Sequence, residues 1–321
     1  MRRVVVTFTA LLLFLGVPLL VAPWYGWGTR PGATVPLVVD KGATLTDVAV
    51  DLEKAGLIDA ARQFRILARL LGKDAPVQAG SYSLKSGSPW RTYLETLQKG
   101  RVERSSITIP EGLPAVMVAD RLRAVKSLTG TIKDPAEGSV LPETYEFQPG
   151  EPRAKVLARM QAARDKTLAD LWAKRSKSTV VKTPEEAIIL ASIVEKETGK
   201  PSERRMVAGV YSNRLRQGIK LDADPTVIYP ITKGRPLGRR IRRSELDRDT
   251  GYNTYRKPGL PAGPIANPGR ASIAAVLDPQ ATDAIFFVAD GSGGHVFAKT
   301  LAEHNANVEK WYALRRQRGD M

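Results

Sequence analysis

The 321-residue chain has no cysteine and only two histidines, His295 and His304. Without thiols there are no disulfides, thiolate metal sites or cysteine nucleophiles. The histidines do not fall in an HExxH pattern, so no metal and no cofactor is implied. No GxSxG elbow occurs, so the signature of an α/β-type serine hydrolase is missing. Acids are few beside bases, with 33 Asp+Glu against 49 Lys+Arg, a net charge of +16 and a pI near 10.0. That balance points to an anionic partner: nucleic acid, anionic lipid or an anionic polymer. The chain lacks a recognisable nucleic-acid motif and a basic face interleaved with aromatics, so nucleic acid is not expected. At 43% hydrophobic and 26% charged residues, the composition is that of an ordinary globular protein with ample material for a core.

Long uncharged runs are also missing, with one exception at residues 4–22. At about 1.5 Å per residue that run can cross a bilayer core. Arg2 and Arg3 precede it, and Trp24, Tyr25 and Trp27 follow it as an interfacial aromatic belt would. The run is longer than the apolar part of a signal peptide, and no Ala-x-Ala site follows, so an uncleaved anchor is expected. The arginines place the N-terminus in the cytoplasm. The expected location is therefore the cytoplasmic (inner) membrane, crossed once by an N-terminal transmembrane helix, with the rest of the chain outside.

Residues 28–34 read as a linker rich in Gly and Pro. A strand is expected at 35–39, an amphipathic helix opened by Thr44, a second helix near 60–71, a strand at 80–84 and a helix at 90–97. Residues 28–105 thus form a small α+β module. A strand at 106–110 and a helix near 115–125 follow, and residues 153–177 form a charged helix with a solvated face. The whole is read as an α+β protein, with residues 1–27 as tip and anchor and residues 106–321 as a larger mixed α+β domain whose core spans about 180–315.

The densest chemistry begins at Thr183. Thr183 suits an N-cap, Pro184 the first helical position, and Glu185 and Glu186 the positive end of the dipole. The run that follows, AIILASIVEKETG, is almost wholly apolar, as in a buried helix, and then delivers Glu195 and Glu197. Gly199 suits the position just past the end. Glu195 continues the stripe Ile188, Ala191 and Ser192, while Glu197 continues Leu190 and Ile193, so periodicity does not choose between the two acids. The negative end of the dipole, burial and a like-charged neighbour all push such carboxyls toward a raised pKa. A raised pKa is what a general acid needs near neutral pH.

Further along, Asp222 and Asp224 stand two apart before Pro225, one face of an extended chain. Tyr252-Asn253-Thr254-Tyr255 sets hydrogen-bonding groups beside flat rings, a mixture suited to sugars. Residues 259–269, GLPAGPIANPG, must form a shaped, rigid loop. A strand at 285–289 runs into a glycine-rich turn that aims His295 and Phe297, and Thr300, Glu303, His304 and Asn305 then lie on a helix. The basic run at 235–243, with Arg239, Arg240, Arg242 and Arg243, would steer an anionic glycan or approach lipid headgroups.

Taken in order, ASIVEKET, NRL, DPTVIY, YNTY, the GLPAGPIANPG loop, FVADGSGGHVF and EHN resemble the YceG-like (MltG-type) endolytic murein transglycosylases over residues 105–315. Ile109-Pro110-Glu111-Gly112 and Leu141-Pro142-Glu143-Thr144-Tyr145 resemble that family's PEG and FPDTY segments. Asp222 stands where the family usually has Gln, Ala262 where it has Pro, and Glu143 where it has Asp. The module at 28–105 is similar, more loosely, to the family's LysM-like part.

The resemblance implies an enzyme that cleaves the MurNAc-β-1,4-GlcNAc bond of peptidoglycan strands without water, leaving 1,6-anhydroMurNAc ends and ending strand elongation. Glu195 is then the catalytic acid and base, and Glu197, Asn213, Asp224, Thr226, Tyr252, Asn253, Tyr255, Asn267 and His295 bind substrate or shape the site. The partners implied are glycan strands, the membrane and peptidoglycan synthases. The alternative is a non-catalytic, membrane-anchored peptidoglycan-binding scaffold.

Overall fold

The computed structural model describes residues 18–40, 42–73, 75–100 and 105–319. They divide into two compact units. The smaller comprises the described residues up to Ser105 with Glu146–Glu151, and the larger comprises Ser106–Tyr145 with the described residues from Pro152 on. The mixture of helices and short two-stranded sheets is the α+β class expected from the sequence.

In the smaller unit, β1 (Thr34–Val39) is followed by α1 (Leu45–Lys54), α2 (Ala61–Leu71), β2 (Gly80–Lys85) and α3 (Trp90–Lys99). β1 and β2 pair antiparallel, with Thr34 opposite Lys85 and Val39 opposite Gly80. The turn residues before α1 explain its start: Thr44 accepts from the Asp47 N–H, and Asp47 reaches back to the Thr44 N–H at 2.8 Å. Such a capping box satisfies two otherwise orphaned donors. Alternate residues of the strands, Leu37, Val39, Tyr82 and Leu84, pack on Leu52, Phe64, Trp90 and Leu97. Ser81 Oγ donates to the Pro149 carbonyl, tying in a segment far along the chain.

The expected anchor at 4–22 lies almost entirely outside the described residues. Among the described residues no helix is long and apolar enough to cross a membrane. The expected aromatic belt is corrected in part. Trp24 is 3% exposed and packs in the core of the smaller unit, its ring 6.2 Å from that of Phe64. Tyr25 and Trp27 are exposed. Position along the segment separates the two indoles, since Trp24 reaches Phe64 in this core and Trp27 does not enter it.

β3 (Ser105–Thr108) pairs with β4 (Thr144–Phe147), and α4 (Ala115–Ala124) lies between them in the chain. α5 (Arg153–Ala173) leads to α6 (Pro184–Glu197), the centre of the larger unit. After a 3-10 turn at Pro201–Glu203 come α7 (Arg204–Arg216), α8 (Asp224–Thr232), the single turn α9 (Arg243–Leu246), α10 (Arg270–Leu277), the hairpin β5 (Phe286–Ala289) and β6 (His295–Ala298), and α11 (Leu301–Arg318).

Ala187, Leu190, Ala191, Ile193 and Val194 of α6 are fully buried, against Val207, Ala208 and Tyr211 of α7 and Ile273 and Val276 of α10. A helix apolar on most faces thus becomes the core strut, as its composition requires. α7 passes close to the 280 segment because residue 209 is glycine: a Cβ there would lie 2.4 Å from the Gln280 carbonyl oxygen.

Candidate active site

The start of α6 follows the sequence signals. Thr183 accepts from the Glu186 N–H at 3.1 Å, and Pro184 opens the helix. Its end differs from expectation in one detail. Thr198, extended at φ −135°, is the C-cap, and Gly199 does not adopt the left-handed conformation. The chain leaves the helix extended and enters the 3-10 turn directly.

Two side chains on one stripe of α6 hold the Pro/Gly loop. Ser192 Oγ accepts from the Ile265 N–H at 3.0 Å, and one turn later Glu195 Oε2 accepts from the Gly269 N–H at 2.9 Å. The other face of that loop grips the segment after β3. Asn267 donates from its backbone N–H and from Nδ2 to the Leu113 carbonyl, and its own carbonyl accepts from the Gly112 N–H at 3.0 Å. Three stretches remote in sequence therefore meet at the carboxylate of Glu195, whose side chain is only 4% exposed.

A cation completes the group. Arg204 Nη2, at the start of α7, lies 3.4 Å from Glu195 Oε1 and 2.8 Å from Glu111 Oε2. Gly269 is also the N-cap of α10, so the positive end of that helix faces Glu195. Beside the carboxylates opens a cleft of about 460 Å³, lined by Glu111, Gly112, Leu113, Lys196, Ile228 and Arg235 among others.

Glu197 turns to other neighbours. Its Oε1 is shielded from water and has no hydrogen-bond partner. Burial first, and then the charge of Asp224, push its carboxyl up to about 7, against a hydrogen bond from Tyr211 and the charge of Arg214. Tyr211 is fully buried and its hydroxyl is raised well above its ordinary range, by burial and then by Glu197. Tyr255 donates to Asp224 Oδ1 at 2.6 Å, and burial and that contact raise the Tyr255 hydroxyl as well. Asp222 pairs with Arg214 at 3.0 Å. The expectation of an extended chain through Asp222 and Asp224 is corrected. Asp222 has φ +51° and Asp224 opens α8, because Pro225 suits the first turn of a helix.

Several expected site residues serve the scaffold instead of facing Glu195. Asn213 Nδ2 donates to the carbonyls of Thr282 and Ala284, at 2.7 and 3.0 Å. Asn253 Nδ2 reaches the carbonyls of Leu246 and Arg248, and its Oδ1 accepts from the Tyr255 N–H, so it closes its own loop. Thr226 is fully buried and shares a hydrogen bond with Thr254 at 2.9 Å. The Tyr252 ring packs on Tyr229, 4.9 Å between centroids. His295 binds Glu203 through its backbone N–H and through Nδ1, the latter at 2.8 Å. Burial pushes the Glu203 carboxyl up, but the His295 contacts outweigh it and hold it below its ordinary value.

The basic run is partly neutralised. Arg235 pairs with Asp120, Arg239 with Glu245, and Arg243 with Asp247. Among the described residues no cluster of His, Asp and Glu could hold a metal ion.

Sequence reasoning missed Arg204, which lies among charged residues with no pattern to mark it. It also missed Glu137. That carboxyl accepts from the Ala115 N–H at 2.9 Å and lies within reach of Asn267 and Tyr229. Burial raises it to about 7.

The fold and this geometry define an α+β protein built around a carboxylate held by a backbone N–H and a guanidinium, with neighbouring residues that line an open cleft. A profile of the YceG-like family matches residues 37–310, and the chain belongs to that family. It is 27% identical over 317 residues to the endolytic murein transglycosylase of Bacillus subtilis, covering 89% of this chain and 87% of that one. The endolytic murein transglycosylase of Streptococcus pneumoniae is likewise 27% identical, over 85% of this chain and 58% of its own length. The crystal structure of a YceG-like protein from Listeria monocytogenes superposes with a TM-score of 0.52 at 26% identity, covering 86% of this chain and 99% of that one.

Proposed function

We propose that the chain is an endolytic peptidoglycan transglycosylase with Glu195 as its acid and base. The observation that carries the reading is the setting of Glu195: nearly buried, fixed by Gly269 and Arg204, and flanked by Glu111, Gly112 and Lys196, which line a cleft. The names of the relatives in Bacillus and Streptococcus support the substrate class.

In the proposed reaction the Glu195 carboxyl gives its proton to the glycosidic oxygen as the C1–O4 bond breaks. The carboxylate then takes the proton of the muramyl O6 hydroxyl while O6 bonds to C1. The acid is restored, no water is consumed, and the product ends in 1,6-anhydroMurNAc. An internal nucleophile of this kind has the proximity advantage over water. One carboxylate acts in both steps, unlike the two-carboxylate scheme of most glycosidases.

The wider setting belongs to the same proposal. The apolar run at 4–22 anchors the chain in the cytoplasmic membrane with the N-terminus inside, and the enzyme ends nascent strands beside peptidoglycan synthases. The β1–α1–α2–β2 order with an antiparallel pair supports a LysM-like smaller unit that holds glycan.

The test is mass spectrometry of purified glycan strands after incubation with the wild type. Internal cuts bearing anhydro ends are expected. Reducing ends would mean a hydrolase, and binding without cuts would favour the scaffold.

A further inference from the structure

Glu111, in the Pro-Glu-Gly segment after β3, has no part in the reaction described above, yet it competes for the cation that faces Glu195. One nitrogen, Arg204 Nη2, serves both carboxylates, and it lies nearer Glu111 (2.8 Å) than Glu195 (3.4 Å). Arg204 Nε is buried with no partner, so the acids at Nη2 are what fix the guanidinium. A second observation places Glu111 independently. A Cβ on residue 269 would stand 2.0 Å from Glu111 Oε1, so the bare glycine makes room for this carboxylate while its N–H holds the other. The Arg204 side chain is 12% exposed and the Glu111 side chain 42%, so Glu111 lies on the cleft side of the pair.

We propose that Glu111 is a positioning residue for the reaction. It keeps Arg204 partly withheld from Glu195 while Glu195 carries its proton, and cedes the guanidinium once Glu195 has become a carboxylate. The physical reason is that a neighbouring cation favours the charged form of an acid and so weakens it as a proton donor. The groups facing Glu195 are Arg204 from α7, Glu111 from the segment after β3, and the N-terminus of α10 at Gly269. Lys196, beside it on α6, is turned to the Gly112 carbonyl. Of these, Glu111 is the group that offsets the cation. The inference rests on Glu195 being the acid.

The experiment compares kcat against pH for the 321-residue chain and its Glu111→Gln, Glu111→Asp and Glu195→Gln variants on purified glycan strands, with thermal unfolding alongside. In Glu111→Gln, Arg204 is released to Glu195. Turnover at neutral pH should fall about tenfold and recover in acid, because the cation then favours the charged form of the acid over the proton donor. Glu111→Asp should restore turnover at neutral pH in part, and it carries the test alone if the glutamine variant does not fold. A wild-type profile in Glu111→Gln, or a loss equal at every pH, would overturn the inference. Activity retained in Glu195→Gln would instead overturn the reading beneath it.

Discussion

On one side of the last turn of α6, Glu195 meets a backbone N–H, a guanidinium and Gly112, which lines a cleft. On the other side, two residues later, Glu197 meets Tyr211 and the charge of Asp224, with one oxygen cut off from water. Both acids have the same residue type and the same helix end, and each has a buried stripe of α6 behind it. What separates them is what other parts of the fold bring to each side. Donors from the Pro/Gly loop and α7 make one a held carboxylate. Burial beside another acid makes the other a group that resists ionising. A raised carboxyl does not by itself mark a reacting acid, since burial raises Glu197 and Glu137 here.

The comparison breaks most sharply under exchange of each acid for its amide. Glu195→Gln should lower kcat on glycan strands by about 10²–10⁴-fold, the usual contribution of a general acid–base group. Glu197→Gln should leave turnover readily measurable, and equal losses in the two would erase the distinction.

Glu197 should show itself in stability. Its folded value is raised above the ordinary carboxyl, so the folded state holds the proton more tightly than the unfolded state does. Stability from this group is full below about pH 4.5, falls as pH rises, and levels off above about pH 7. The span corresponds to about 3 kcal/mol. Urea unfolding at about pH 5 and about pH 8 should show this loss in the wild type and a difference smaller by about that amount in Glu197→Gln.

Gly269→Ala sharpens the other side. A methyl would meet Glu111 Oε1 at 2.0 Å, and the flexible carboxylate would move. The fold should survive, with kcat reduced about tenfold, a change of about 1.4 kcal/mol in the barrier. The smallest effect is expected at the far end of the helix. Thr183→Ala removes the cap on Glu186 N and should cost about 1 kcal/mol in urea unfolding while leaving the pH profile of kcat unchanged.

The elements were largely legible because their signals are local. Caps such as Thr44 and Thr183, alternation in β1 and β2, and the glycine-rich turn before His295 each lie within a few residues of what they control. Within the proposed site, Glu195 was singled out through the resemblance and not by periodicity. Arg204 and Glu111 are 93 residues apart, and Asn267 reaches Leu113 across 154. Contacts of that separation leave no periodicity to read. The asparagines show a related effect. Asn213 and Asn253 have the chemistry of a sugar ligand, but loop carbonyls with no other donor consume it. Trp24 misled because an indole beside an apolar run suits a membrane surface and a protein core equally well.

The most direct measurement counts 1,6-anhydromuramyl ends, by mass spectrometry, on glycan strands incubated with wild type, Glu195→Gln and Glu197→Gln in parallel. Internal anhydro ends from the wild type and Glu197→Gln, with none from Glu195→Gln, are the predicted result. Anhydro ends produced by Glu195→Gln at the wild-type rate would contradict the account.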